Sequence, residues 1–143
     1  MNKWTDRWMQ LVDTVASFSG DTSTKCGAVI VDARNVLLSV GWNDLPRGVI
    51  EQKNRRDRPV KYKWTEHAER NAIFNAAAKG IECQGATMYL NWYPCADCAR
   101  AIIQAGITKV VCVEPDWYCE RWGDDFDMVR EMFIEVGMTT AFI

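Results

Sequence analysis

The strongest constraint in this chain is the way its hydrophobic pattern changes period along its length. Residues 3–18 carry Trp4, Trp8, Leu11, Val12, Val15 and Phe18 at helical spacing, and Ser19-Gly20-Asp21-Thr22-Ser23 reads as a stop and loop. Gly27–Val31 and Val36–Val40 are short β-rich runs, with the polar Asp32-Ala33-Arg34-Asn35 placed to turn a hairpin. A long loop over 42–64 contains Pro46, Gly48 and Pro59. Beyond it, helices are predicted over 66–79, 95–105 and 124–136, and strands over 86–91, 109–113 and 139–143. The order is α-β-β-α-β-α-β-α-β. A hairpin followed by alternating helices and strands implies an α/β fold: a five-stranded mixed sheet with helices on both faces, a three-layer α/β/α sandwich.

Length and composition agree with a single domain over residues 1–143. With 48% hydrophobic residues, a chain of this size buries enough surface to hold a core without disulfides. The six cysteines are therefore read as reduced thiols, and Cys26, Cys83, Cys112 and Cys119 as small buried hydrophobes. The seven tryptophans are expected to anchor the core or a subunit interface. No apolar run approaches the roughly 18 residues of a membrane span, and the start, Met1–Asp6, carries no signal-peptide core. The expectation is a soluble, cytoplasmic protein. A net charge of -2 argues against a protein that coats long nucleic acid.

Chemistry concentrates in two places. His67-Ala68-Glu69 opens one predicted helix and Pro94-Cys95-Ala96-Asp97-Cys98 opens the next. Cys95 and Cys98, at i and i+3, can turn both sulfurs to one point, and a helix N-terminus favours thiolate. One imidazole and two thiolates make three ligands for Zn²⁺ and leave a fourth position for water, the pattern of a catalytic site. Residues two apart on a regular helix diverge by about 200°. His67 and Glu69 can thus converge only if the helix starts at His67. The bland alternatives are a redox Cys-x-x-Cys pair and a first-turn acid that complements a helix dipole. A structural zinc site would want a fourth ligand, and His67 is the single histidine.

The His-x-Glu and Pro-Cys-x-x-Cys motifs resemble those of the cytidine/deoxycytidylate deaminase superfamily. Gly41-Trp42-Asn43-Asp44-Leu45-Pro46-Arg47-Gly48 and Ile102-Ile103-Gln104-Ala105-Gly106-Ile107 make the chain most similar to the deoxycytidylate branch. The resemblance runs from about Ser17 to the C-terminus. It implies the cytidine-deaminase-like fold, one catalytic Zn²⁺ on His67, Cys95 and Cys98, and hydrolysis of dCMP to dUMP and ammonia. Glu69 would be the general acid–base. Asn43 would hold the sugar hydroxyl, the backbone around Ala68 and Ala96 would read the pyrimidine edge, and Tyr93 and Tyr118 would wall the base. Trp92 and Trp117 are weaker candidates for that wall. Because family members are commonly dimers or hexamers and many respond to deoxynucleoside triphosphates, the resemblance also implies a homo-oligomer and admits such an effector.

Residues 45–64 carry seven cations against Glu51 and Asp57, a local +5 suited to an anionic substrate. Arg47, near Asn43, and Lys25, just before the first strand, are the expected phosphate contacts. The alternative for the whole tract is a solvated face. Two other readings stand beside the main one. The same chemistry could act on 5-modified dCMP, dCTP, cytidine or deoxycytidine, or on tRNA adenosine, although a pI near 5.4 disfavours the RNA substrate. The second is a zinc-stabilised interaction module without catalysis.

Overall fold

The structure, a computed structural model, describes residues 2–143. Helix α1 spans Lys3–Ala16, and the Asn2 side chain caps it by accepting from the amides of Trp4 and Thr5, each at 3.0 Å. Strands β1 (Gly27–Val31) and β2 (Leu37–Trp42) form the expected hairpin. Asp32 Oδ1 accepts from the amides of Arg34 and Val36, and Asn35 takes the left-handed conformation at φ 62°. β2 runs to Trp42 rather than stopping at Val40, because Gly41 and Trp42 go on pairing with Ala28 and Gly27.

The remaining elements are α2 (Lys61–Trp64), α3 (Ala68–Ala78), β3 (Thr87–Leu90), α4 (Ala96–Gln104), β4 (Lys109–Cys112), α5 (Gly123–Glu135) and β5 (Thr139–Phe142). The tract predicted as loop thus contains α2 and a short 3-10 turn at Lys53–Arg56. α2 is only four residues long, and its single buried residue is Lys61. It offers no apolar stripe from which the sequence could announce a helix.

The sheet order is β2-β1-β3-β4-β5. β1 pairs antiparallel with both β2 and β3, whereas β3, β4 and β5 run parallel. This is the mixed three-layer architecture that the order of elements implied. Period-2 alternation divides the core. Ala28, Ile30, Met88, Leu90, Val110 and Cys112 face α3, α4 and α5. Val29, Val31, Tyr89 and Val111 face Val12 and Val15 of α1. β1 is buried throughout because it is central and covered on both faces.

Two glycines set how closely the helices approach the sheet. A Cβ on Gly41 would stand 2.3 Å from the amide nitrogen of Ala72 and 2.4 Å from the carbonyl of Ala68 in α3. One on Gly27 would meet the Val12 carbonyl of α1 at 2.4 Å. The missing side chain at Gly41 therefore lets the start of α3 lie directly on β2. None of the seven tryptophans is buried: Trp4, Trp64 and Trp92 are exposed, while Trp8, Trp42, Trp117 and Trp122 are half-buried against the core, which corrects the part of the expectation that placed them within it. Aliphatic residues fill it instead, and the indoles lie in the shell outside. Among the described residues all six cysteines are free, but only Cys83, Cys98 and Cys112 are buried. No helix is long and apolar enough to cross a membrane among the described residues.

Candidate functional site

The start of β1, the end of β3 and the end of β4 lie at one end of the sheet's strands, since Ala28 pairs with Leu90 and Leu90 with Cys112. Segments leaving that end hold the candidate site, the usual place for one in open α/β sheets with parallel strands. His67 is the N-cap of α3 and Cys95 the N-cap of α4, each with extended backbone at φ -78°, ψ 156° and φ -72°, ψ 170°. Neither side chain caps its own helix. Because α3 begins at His67, the imidazole leaves the helix while Glu69 sits in the first turn, and the two meet on one side.

The ligating atoms of His67, Cys95 and Cys98 all lie within 4.8 Å of one another. His67 Nδ1 is 3.5 Å from the Cys95 sulfur and 3.4 Å from that of Cys98. Zn–N and Zn–S bonds of ordinary length, set at a tetrahedral angle, place nitrogen and sulfur about 3.6 Å apart. The donor set and its spacing therefore fit zinc. The bonds between the three side chains also polarise them. The hydrogen bond from Cys98, helped by His67, brings Cys95 down to about 4, well into the thiolate range. The bond to Cys95 raises His67 to about 9. Cys98 is pushed up by Cys95 and by burial.

Glu69 is 6% exposed, and burial raises its pKa above the ordinary carboxylate value despite the pull of His67. A buried carboxylic acid of raised pKa beside a cluster of metal-ligand type is suited to carrying protons.

A cavity of about 300 Å³ opens onto His67, Ala68, Glu69 and Cys95. Asn43 reaches it as well: its Oδ1 accepts from the Cys26 amide at 2.8 Å and its Nδ2 donates to the Thr24 carbonyl at 2.9 Å. Each amide atom keeps one hydrogen-bonding position in reserve. Tyr93 lines the cavity from behind, 5% exposed and edge-on to Trp117 and Phe126 at 5.4 Å; burial moves its phenol up to about 12.

Other expected contacts fall elsewhere. Tyr118 is 95% exposed and is not part of the cavity wall; its amide closes a turn on Asp116, and the ring faces solvent. Arg47 borders a separate hollow with Trp42 and Asn71, where it donates to Asn75. Lys25 donates to the Ser19 carbonyl rather than lining the cavity. The Ala96 amide is already committed to Asp125 Oδ2 at 2.9 Å. Of the weaker candidates, Trp92 lines the cavity and Trp117 packs behind it.

Other cations line the cavity. Arg58 and Arg121 are exposed and line the cavity, so they stand at its mouth. Among the described residues neither is paired with a carboxylate. Arg121 lies over the Tyr62 ring at 3.8 Å and the Trp122 ring at 5.2 Å, joining the segment after Pro59 to the loop before α5. Lys61 is 4% exposed, and its Nζ donates to Asp21 Oδ2 at 2.8 Å and to Ser23 Oγ at 2.7 Å. Burial alone would raise Asp21, but Lys61 and the amides of Thr24 and Ser23 hold it well below the usual carboxylate range. The basic tract contained Arg58 and Lys61, but charge does not say which cation turns inward. The segment after β4 held Arg121 and Trp122, with no local signal to prefer them to Tyr118.

Comparison with known proteins adds an independent line. The family model described as "Cytidine and deoxycytidylate deaminase zinc-binding region" matches residues 2–114. A protein of Aliivibrio fischeri described as "Uncharacterized deaminase in luxG 3'region" is 37% identical, covering 100% of this chain and 95% of that one. The deoxycytidylate deaminase of Homo sapiens is 30% identical, over 96% of this chain and 78% of its own. That of Enterobacteria phage T4 is 46% identical over 76% of this chain and 55% of its own. The crystal structure of dCMP deaminase from the cyanophage S-TIM5 in complex with dCMP and dUMP shares the fold, with TM-score 0.80 and 24% identity over 100% of this chain and 99% of that one. The matched region holds both helix N-termini that form the cluster, and this chain belongs to the cytidine and deoxycytidylate deaminase family.

Proposed function

We propose that the chain is a zinc-dependent hydrolase that converts dCMP and water to dUMP and ammonia. The observation that carries this reading is one cavity joining three things: the His67–Cys95 edge of the metal cluster, the buried Glu69, and the unpaired cations Arg58 and Arg121 at its mouth. The substrate named for the human and phage T4 relatives supports it.

His67, Cys95 and Cys98 would hold a single Zn²⁺, which supplies a Lewis acid able to make water reactive near neutral pH. Glu69 moves the protons. Its carboxylate takes one from the attacking water and delivers it to N3 of cytosine, which makes C4 more electrophilic. As oxygen becomes bonded to C4, Glu69 carries the second proton to the exocyclic nitrogen, which leaves as ammonia. Its raised pKa lets it hold a proton between the two transfers. The reserve hydrogen-bonding positions of Asn43 meet a sugar hydroxyl, the Ala68 backbone reads the base edge, and Tyr93 backs the ring. Arg58 and Arg121, in place of Arg47 and Lys25, take the 5′-phosphate. The whole 1–143 unit acts in the cytoplasm as a homo-oligomer, open to a deoxynucleoside triphosphate effector.

The test is ammonia release by the zinc-loaded protein with dCMP and deoxycytidine at equal concentration. Rapid turnover of dCMP and slow turnover of deoxycytidine is expected. Equal rates would remove the phosphate reading. No turnover of either by a chain that holds zinc would overturn the assignment to cytosine substrates of this size.

A further inference from the structure

The first turn of α4 carries both thiols of the cluster, and its cap comes from another helix. Cys95, at the N-cap position, makes no side-chain cap bond because its sulfur belongs to the cluster. The Ala96 amide instead donates to Asp125 Oδ2 at 2.9 Å, across 29 residues of sequence. Ala96 is 8% exposed, so without that acceptor its N–H would be left largely unsatisfied. That N–H belongs to the peptide plane between Cys95 and Ala96. Holding the plane holds ψ of Cys95, and with it the direction in which α4 leaves the cluster and carries Cys98.

Asp125 is also well placed to link two parts of the site. It lies in the first turn of α5. Arg121 and Trp122 before it and Phe126 after it line the cavity. One carboxylate therefore ties the thiol-bearing helix to a cavity wall.

We propose that Asp125 is a positioning residue for the metal centre: by capping α4 from α5 it fixes the presentation of Cys95 and Cys98. This rests on the metal reading above. Asp125 touches neither metal nor substrate, and it acts through the Ala96 amide. Partners outside the ligand shell that orient metal ligands typically change affinity 10- to 100-fold when lost.

The experiment compares wild type, Asp125→Ala, Asp125→Asn and Asp124→Ala. Zinc affinity is read by competition with a chromophoric chelator, and ligand geometry by the visible spectrum of the cobalt(II)-loaded protein. Asp125→Ala should weaken zinc binding about 10- to 100-fold and alter the cobalt bands. Asp125→Asn keeps a side-chain oxygen to accept the bond and should restore most of the affinity. Asp124→Ala removes the same charge from the same helix end and should bind as wild type does.

Wild-type affinity and an unchanged cobalt spectrum in Asp125→Ala would overturn the proposal. So would an Asp124→Ala loss of equal size, which would make the effect one of charge alone. Should Asp125→Ala not fold, hydrogen exchange at the Ala96 amide of the wild-type protein decides: protection supports the cap and free exchange overturns it. A folded wild type that retains no zinc would remove the metal reading and this one together, whereas a zinc-binding wild type with an indifferent Asp125→Ala removes only the role of Asp125.

Discussion

The cavity has two sides, and they are made differently. The metal side comes from two helix starts, His67-Ala68-Glu69 and Cys95 to Cys98, each confined to one turn of backbone. The substrate side comes from four separated segments. The loop at Asp21–Cys26 and Asn43 after β2 are stitched to each other by hydrogen bonds. Arg58 to Tyr62 and Cys119 to Trp122 meet through the Arg121–Tyr62 stack. A one-turn motif carries its geometry with it, because helix spacing fixes where i and i+3 point. A wall of four loops has no such spacing, and its parts are held by ion pairs and stacking across the chain.

The sharpest break on the metal side is Glu69→Ala. It should lower kcat for ammonia release by about 10²–10⁴-fold with zinc content unchanged, since Glu69 is not a ligand. Near-wild-type turnover would end its role.

On the substrate side the largest effect should come from Lys61→Met. Removing one member of a buried pair costs about 3–5 kcal/mol of stability, because the other charge is left uncompensated, and Lys61 and Asp21 are both buried. The pair also gives a pH signature. Asp21 titrates well below its ordinary 3.8 in the folded chain, so its stabilisation is complete above that value and is lost as pH falls through the acid range. Acid unfolding of Asp21→Asn should accordingly be shallower below pH 3.8 than that of wild type, and identical slopes would deny the pair this role.

Arg121→Ala should be smaller. Loss of one charge-assisted contact should raise KM for dCMP roughly 10- to 100-fold and leave deoxycytidine turnover alone. Arg47→Ala should change neither, and a reversed ranking of the two would restore the phosphate to the hollow beside Asn75. The smallest expected effect is that of Tyr118→Ala, within about 0.5 kcal/mol in stability and with kcat/KM as in wild type. A large loss there would mean that the Asp116–Cys119 turn closes over the substrate.

The element order and both ends of the metal cluster were legible because each depends on near neighbours in sequence. GAVIV at 27–31 reads as a strand from five residues, and His67 with Glu69 demands a helix start from three. The contacts that sequence did not reveal have a common origin. Tyr118 and Arg121 lie three residues apart in one loop, and stacking on Tyr62, more than fifty residues away, holds Arg121 at the cavity mouth. Nothing near Ala96 in sequence signals that Asp125, 29 residues on, takes its amide. Lys61 was one of seven cations in its tract, and burial against Asp21 sets it apart.

The sequence by itself determined the sheet, the two helix starts and the grouping of one imidazole, two thiols and a carboxylate at them, because hydrophobic period and turn chemistry act over a few residues. Tertiary structure decided which cations, rings and carboxylates meet at the cavity. Those partners are brought together by Gly41 under α3, by Lys61 under its loop and by Asp125 across two helices. Each is a contact between residues far apart in the chain, and no local pattern encodes its direction.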